Sequence, residues 1–266
     1  MIKIRKNKRK VPILSDREID VFVEKLLCEY NPEILSEPQE LDIEDFAELH
    51  MDFNVHYTHL SHSGFIWGKM VFQKSLILDY KPETGKADEE PVRANTIVIE
   101  NRLLNIEHAF RSTVAHEAGH GILHRDYYFH NYNPRQILFS FSDSESESDS
   151  DSDDERGSSS VCSTFCRDYD VSGGIEKPRQ FKTDIDWIEH QAKYFSAALL
   201  MPRSAVFTLL DDYGADAPHE DKAFVKEVAG IFNVSNESAR IRLQSMNNAY
   251  LERQAVSAAN LFSLSD

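Results

Sequence analysis

One short run restricts this chain more than any other: His116-Glu117-Ala118-Gly119-His120, set within Arg111-Ser-Thr-Val-Ala-His-Glu-Ala-Gly-His-Gly-Ile-Leu-His124. On a helix, side chains four residues apart share a face, so His116 and His120 present two imidazoles to a single ion. Glu117, three residues before His120, leans to the same side. There a carboxylate can take a proton from a metal-bound water without being a ligand itself. His124 extends the histidine series, but it lies about 12 Å along the helix from His116. One ion with ligand bonds near ~2 Å cannot be held from both ends of that span. The longer pattern H-E-x-x-H-x-x-G-x-x-H also fails, since Leu123 stands at its glycine and Asp126 at its last histidine. His124 is therefore expected behind the ligands or at the core edge, and the third ligand must come from elsewhere.

A second stretch offers it: Asp186-Trp-Ile-Glu-His-Gln-Ala-Lys-Tyr-Phe-Ser-Ala-Ala-Leu-Leu-Met-Pro202. Ile188, Ala192, Phe195 and Leu199 form a buried helical stripe, and Pro202 marks its stop. Glu189 lies beside the stripe, with small Ala192 and Ser196 leaving room for another helix to approach. A carboxylate facing two histidines completes a His2Glu site with one open position. Asp184, Asp186 and His190 are the rival ligands in the same stretch.

The remaining chain reads as an α+β protein. Ser15 caps a helix with Ile19, Val23, Leu26 and Leu27 at helical spacing, and a second helix spans Ile43 to His50. Alternation at Phe53, Val55 and Tyr57 predicts a strand. Phe65–Phe72, Leu76–Leu78 and Thr96–Ile99 predict three more, with a polar hairpin or loop over Lys81–Pro91. A small, mainly antiparallel sheet of about four strands thus precedes a motif helix expected from Asn105 to His124. His56, His59 and His62 read as exposed histidines on a polar face. Residues 1–14 read as a solvated basic tail, 15–202 as the main domain, 203–250 as a helical segment and 251–266 as a frayed tail. Within the last helical segment, Phe224 to Leu243 resembles a helix-turn-helix, with Asn233 suited to the turn and Arg242 where an apolar residue is expected.

Composition narrows the functions. The net charge is −16, which argues against a nucleic-acid surface. Residues 140–160, nearly all Ser, Asp and Glu, cannot build a core and read as a disordered insertion. Cys28, Cys162 and Cys166 make no disulfide framework, and Cys162-x-x-x-Cys166 is a weak metal signal without a second pair. No apolar run reaches membrane-spanning length and no signal-type core follows the N-terminus, so the expected location is cytoplasmic, with no membrane contact.

Together, His116-Glu-Ala-Gly-His120 with Leu123-His124, and Trp187 to Pro202, closely resemble the ImmA/IrrE family of zinc metallo-endopeptidases. The resemblance takes in Gly64–Phe72, Thr96–Ile99 and Val234–Leu243, most of residues 12–247. It implies a zincin-like domain in which His116, His120 and Glu189 bind Zn2+ and Glu117 is catalytic. His124 and Tyr194 are then candidates for supporting the ligands or stabilising an oxyanion. It also implies a narrow protein substrate, an Xre-type helix-turn-helix repressor encoded nearby, often in a mobile element, whose cleavage derepresses transcription. Two departures stand out: Lys193 where the family usually has Asn or Asp, and Ser112 where an aromatic is common. The competing expectation is a regulatory or toxin–antitoxin partner that keeps the zinc site and acts by binding. For the C-terminal helices, packing on the catalytic part or on a protein partner is expected over reading DNA.

Overall fold

The computed structural model describes residues 4–131, 166–167, 183–214 and 218–263. Helix α1 (Asp16–Tyr30) starts at the expected cap, a reciprocal box in which Ser15 accepts from the Glu18 amide and Glu18 accepts from that of Ser15. Two short helices, α2 (Glu33–Ser36) and α3 (Ile43–Asp45), follow, and α3 runs on into a π turn at Phe46–His50. Then come strands β1 (Asn54–Thr58), β2 (Ile66–Val71), β3 (Ser75–Lys81), β4 (Lys86–Val92) and β5 (Thr96–Glu100). The metal-motif helix α4 (Glu107–Gly119) opens into a π turn at His120–His124 and continues as α5 (Arg125–Asn131). A two-residue strand β6 (Cys166–Arg167) precedes α6 (Asp184–Leu200), α7 (Arg203–Tyr213), α8 (Lys222–Phe232) and α9 (Asn236–Ser263).

The α+β class holds, with a mixed sheet of order β1-β5-β2-β6. β1 runs parallel to β5, while β2 is antiparallel to both β5 and β6. The Leu76–Leu78 segment, expected in this sheet, pairs instead with β4 in a separate two-stranded ribbon. Its place in the four is taken by β6. The ribbon covers the sheet's far face, where Val71, Ile77, Val92 and Val98 share a small core. Met70, Ile97 and Ile99 face the other way, into the main core with the helices. Alternation along the strand puts Gly68 on the helix side and Lys69, opposite Val98, on the ribbon side.

α6 packs along α4 where both carry small residues. Ser196 Oγ donates to the Ser112 carbonyl at 3.1 Å. Gly119 lets the Phe195 ring come so close that a Cβ there would stand 3.0 Å from it. Enclosing Phe195 completely contributes about 1.5–3 kcal/mol of hydrophobic stabilisation.

Two expectations at the chain ends need correction. Residues 4–14 are not a solvated tail: Lys6 bridges to Pro12, Val11 is buried, and Lys6 and Arg9 pair with Asp126 and Asp184. At the other end helix α9 runs past Tyr250 to Ser263. Asn233 does take the left-handed turn between α8 and α9 (φ 51°). Two of the three histidines of β1 and its following loop, His56 and His59, are half-buried rather than exposed, while His62 is exposed as expected. His56 pairs with Glu90, His59 with the fully buried Glu100, and His62 sits edge-on against Tyr80. The acidic run 140–160 and Cys162 lie outside the described residues. Among those described, no helix is long and apolar enough to cross a membrane.

Candidate metal centre

α4 is buried along almost its whole length, with His116 and Glu117 inside and His120 at its end. A helix with this many polar side chains enters the core only if another element meets them. α6 does so, bringing Glu189 to the two histidines. His116 Nε2 and His120 Nε2 lie 3.0 Å apart, and the Glu189 carboxylate is 3.4 Å from the first and 3.5 Å from the second. One ligand atom from each of the three falls within 4.8 Å of the others. A tetrahedral ion with bonds of about 2.0–2.1 Å has donor–donor edges of about 3.3–3.4 Å, so this triangle is the right size for one. Two uncharged nitrogens and one carboxylate are also the donor set of an open catalytic site. The residues fit a divalent ion.

Burial works against a charge on Glu189, but His120 and His116 together outweigh it and hold the carboxyl well below its usual range. The buried His116 Nδ1 and Glu189 Oε2 have no hydrogen-bond partner among the described residues. A bound cation would satisfy the second of these.

The rivals to Glu189 are occupied. Asp184 pairs with Arg9, Asp186 joins Thr183 in the capping box of α6, and His190 Nε2 lies 2.8 Å from Asp16.

Glu117 is fully enclosed and backs onto β2 at Gly68. A Cβ on that glycine would stand 3.1 Å from Glu117 Cγ and only 2.4 Å from Thr113 Cγ2. Only glycine allows the strand so close to the carboxylate.

Of the two candidates for support, His124 stands behind His120 as expected, and Tyr194 is engaged elsewhere. His124 is completely buried, with Nδ1 3.1 Å from His120 Nδ1 and Nε2 3.0 Å from Gln191 Oε1. It supports a ligand, and neither nitrogen is left to hold an oxyanion. Burial, and next the neighbouring His120, push its imidazole well below the ordinary value, so it is neutral. Tyr194 donates its hydroxyl to Asp20 at 2.8 Å and its ring lies under Arg242. It belongs to a different cluster.

Tyr128 is the residue that sequence reasoning missed. Its ring stacks on Phe72 and stands edge-on to His120, 6.2 Å between centroids. Burial, then Glu189 and Glu117, push its phenol well above the usual value and keep it protonated. The signal was present, because His116, His120, His124 and Tyr128 recur every four residues. Gln191 was legible too, as a polar residue three positions after Ile188 on the buried stripe.

Comparison with protein-family models and with curated proteins finds no match to this chain.

Proposed function

We propose that this protein is a zinc-dependent endopeptidase. The observation that carries the reading is the triangle of His116, His120 and Glu189, with Glu117 enclosed on the same helix as His116. His116, His120 and Glu189 would hold the zinc ion, which would supply Lewis acidity to the attacking water and the peptide carbonyl. Glu117 accepts the proton of the attacking water and passes it to the departing amine. The Tyr128 phenol, held protonated, donates a hydrogen bond to the oxygen that gains charge. His116, His120 and Glu189 serve as ligands and carry no proton through the reaction.

The substrate rests on the resemblance to the ImmA/IrrE family, which points to an Xre-type helix-turn-helix repressor and to derepression of a mobile element or stress response. The same resemblance underlies the zincin-like reading of the sheet and helices and the helix-turn-helix reading of α8 and α9. The test is incubation with the repressor encoded beside the gene, followed by intact-mass measurement. A single cut made by wild type, and lost in Glu117→Gln and after chelation, is the expected result. Intact repressor captured by zinc-loaded protein, with no cut in any sample, would replace cleavage with binding.

A further inference from the structure

Behind His120 runs a chain of hydrogen bonds whose direction can be read without seeing a hydrogen. It starts at the Pro12 carbonyl, which can only accept. Gln191 Nε2 lies 3.0 Å from that oxygen, so the amide turns its NH2 to Pro12 and its oxygen to His124. Gln191 Oε1 accepts in turn, so the hydrogen in its 3.0 Å contact with His124 Nε2 belongs to the imidazole. The 3.1 Å contact between the Nδ1 atoms of His124 and His120 needs one more hydrogen. If His124 supplied it, His124 would be an imidazolium wholly enclosed in the core, an expensive state. His120 would then carry its own hydrogen on Nε2, the atom facing His116 and Glu189. If His120 supplies it, His124 is neutral, the Nδ1 of His120 is taken up by His124, and Nε2 is the nitrogen it turns to His116 and Glu189.

We propose that the N-terminal strap, acting through Gln191 and His124, fixes the hydrogen of His120 on Nδ1 and so presets Nε2 as a metal ligand. This rests on the metal-centre reading and makes Gln191 a positioning residue. The strap is built for the task. Asn7 Oδ1 accepts from the amides of Arg9 and Val11, each at 2.9 Å, closing a turn in which Lys10 takes positive φ (67°). Ile13 N donates to the Arg5 carbonyl at 2.8 Å. Lys6 anchors the strap to Asp126 on α5 and Arg9 to Asp184 on α6. These are the helices that follow the π turn and carry Glu189, so the Pro12 carbonyl is referenced to both sides of the site. His116 has no such support, since its Nδ1 lacks a partner among the described residues.

The test measures imidazole 15N shifts by two-bond correlation in the full chain, metal-free and zinc-loaded, with zinc affinity from competition against a chromophoric chelator. The expected wild-type pattern, with or without zinc, is Nδ1–H on His120 and Nε2–H on His124. Gln191→Met should lower zinc affinity about 10–100-fold and mix the His124 tautomers, with metal-free thermal unfolding still cooperative. His124→Gln offers an acceptor to His120 and a donor to Gln191, and should keep affinity close to wild type. A hydrogen on His120 Nε2 in wild type, or unchanged zinc affinity in Gln191→Met, would overturn the proposal. Should Gln191→Met fail to fold, the wild-type tautomers decide. A protein that binds zinc with these tautomers yet cuts nothing would sink the peptidase reading alone.

Discussion

Lys69 is 4% exposed, on the ribbon side of β2. Burial pulls its ammonium down to about 8, and the nearby Glu117 charge only partly offsets that. The sign follows from linkage. Below pH ~8 the lysine is protonated both folded and unfolded, and the folded state carries the full penalty. Between ~8 and ~10.5 the unfolded chain holds the extra proton, so stability rises with pH. A shift of this size corresponds to about 3 kcal/mol. Lys69→Met should therefore gain most over wild type at neutral pH, and the gap should close as pH approaches ~10.5 in denaturant titrations. A gap that stays constant with pH would refute this. Tyr128→Phe belongs to the same scale: zinc retained, KM little changed, kcat reduced about 10²–10³-fold in steady-state assays. An equal loss in KM would mean that the phenol only binds substrate. Glu189→Ala should lose most bound zinc by elemental analysis. The convergence of His116, His120 and Glu189 was legible because metal chemistry allows few residue types at few spacings. Tyr128 showed only in its four-residue spacing from the histidines, and Pro12 not at all, since a backbone carbonyl carries no side-chain pattern.

Between elements, the contact that matters most is β2 against α4. Thr113 is β-branched on a helix and its hydroxyl already donates to the Ala109 carbonyl at 2.8 Å, so it cannot turn away from a new methyl group. Gly68→Ala should cost about 1–3 kcal/mol of stability by overpacking. It should also lower activity by displacing Glu117, as followed by denaturant unfolding and a cleavage assay. Wild-type values in both would mean that the strand retreats freely. Local periodicity foretold the strands at Asn54–Thr58, Ile66–Val71 and Thr96–Glu100. It did not foretell that Leu76–Leu78 leaves the sheet, because pairing is set by distant partners. Lys86-Ala-Asp-Glu-Glu-Pro-Val92 shows no apolar alternation, being exposed over most of its length, and it forms a strand through the hairpin. The π turn at His120–His124 was invisible for a related reason: α and π turns share the same residue preferences.

Across the whole molecule, two buried arginines tie the C-terminal helices to the part that carries the candidate metal centre. Arg242 on α9 pairs with Asp20 on α1 at 2.6 Å, both nearly inaccessible, and donates to the Met201 carbonyl. This explains a charged residue where the pattern called for an apolar one. Arg111 on α4 donates to the carbonyls of Phe232 and Asn233, at the turn between α8 and α9, and pairs with Glu40. The turn is thus held against α4, the helix that carries His116. Asp20→Ala leaves a buried guanidinium unpaired and should destabilise the protein by about 3–5 kcal/mol, whereas Asp20→Leu with Arg242→Met should recover most of the loss. Equal unfolding free energies for the single and double variants would contradict this. Zinc content together with anomalous diffraction at the zinc edge bears on all three scales. One ion per chain, bound to both Nε2 atoms at about 2.0–2.1 Å and to Glu189, is the predicted result. Protein without stoichiometric zinc, or an ion held by Asp184, Asp186 or His190 instead, would contradict it.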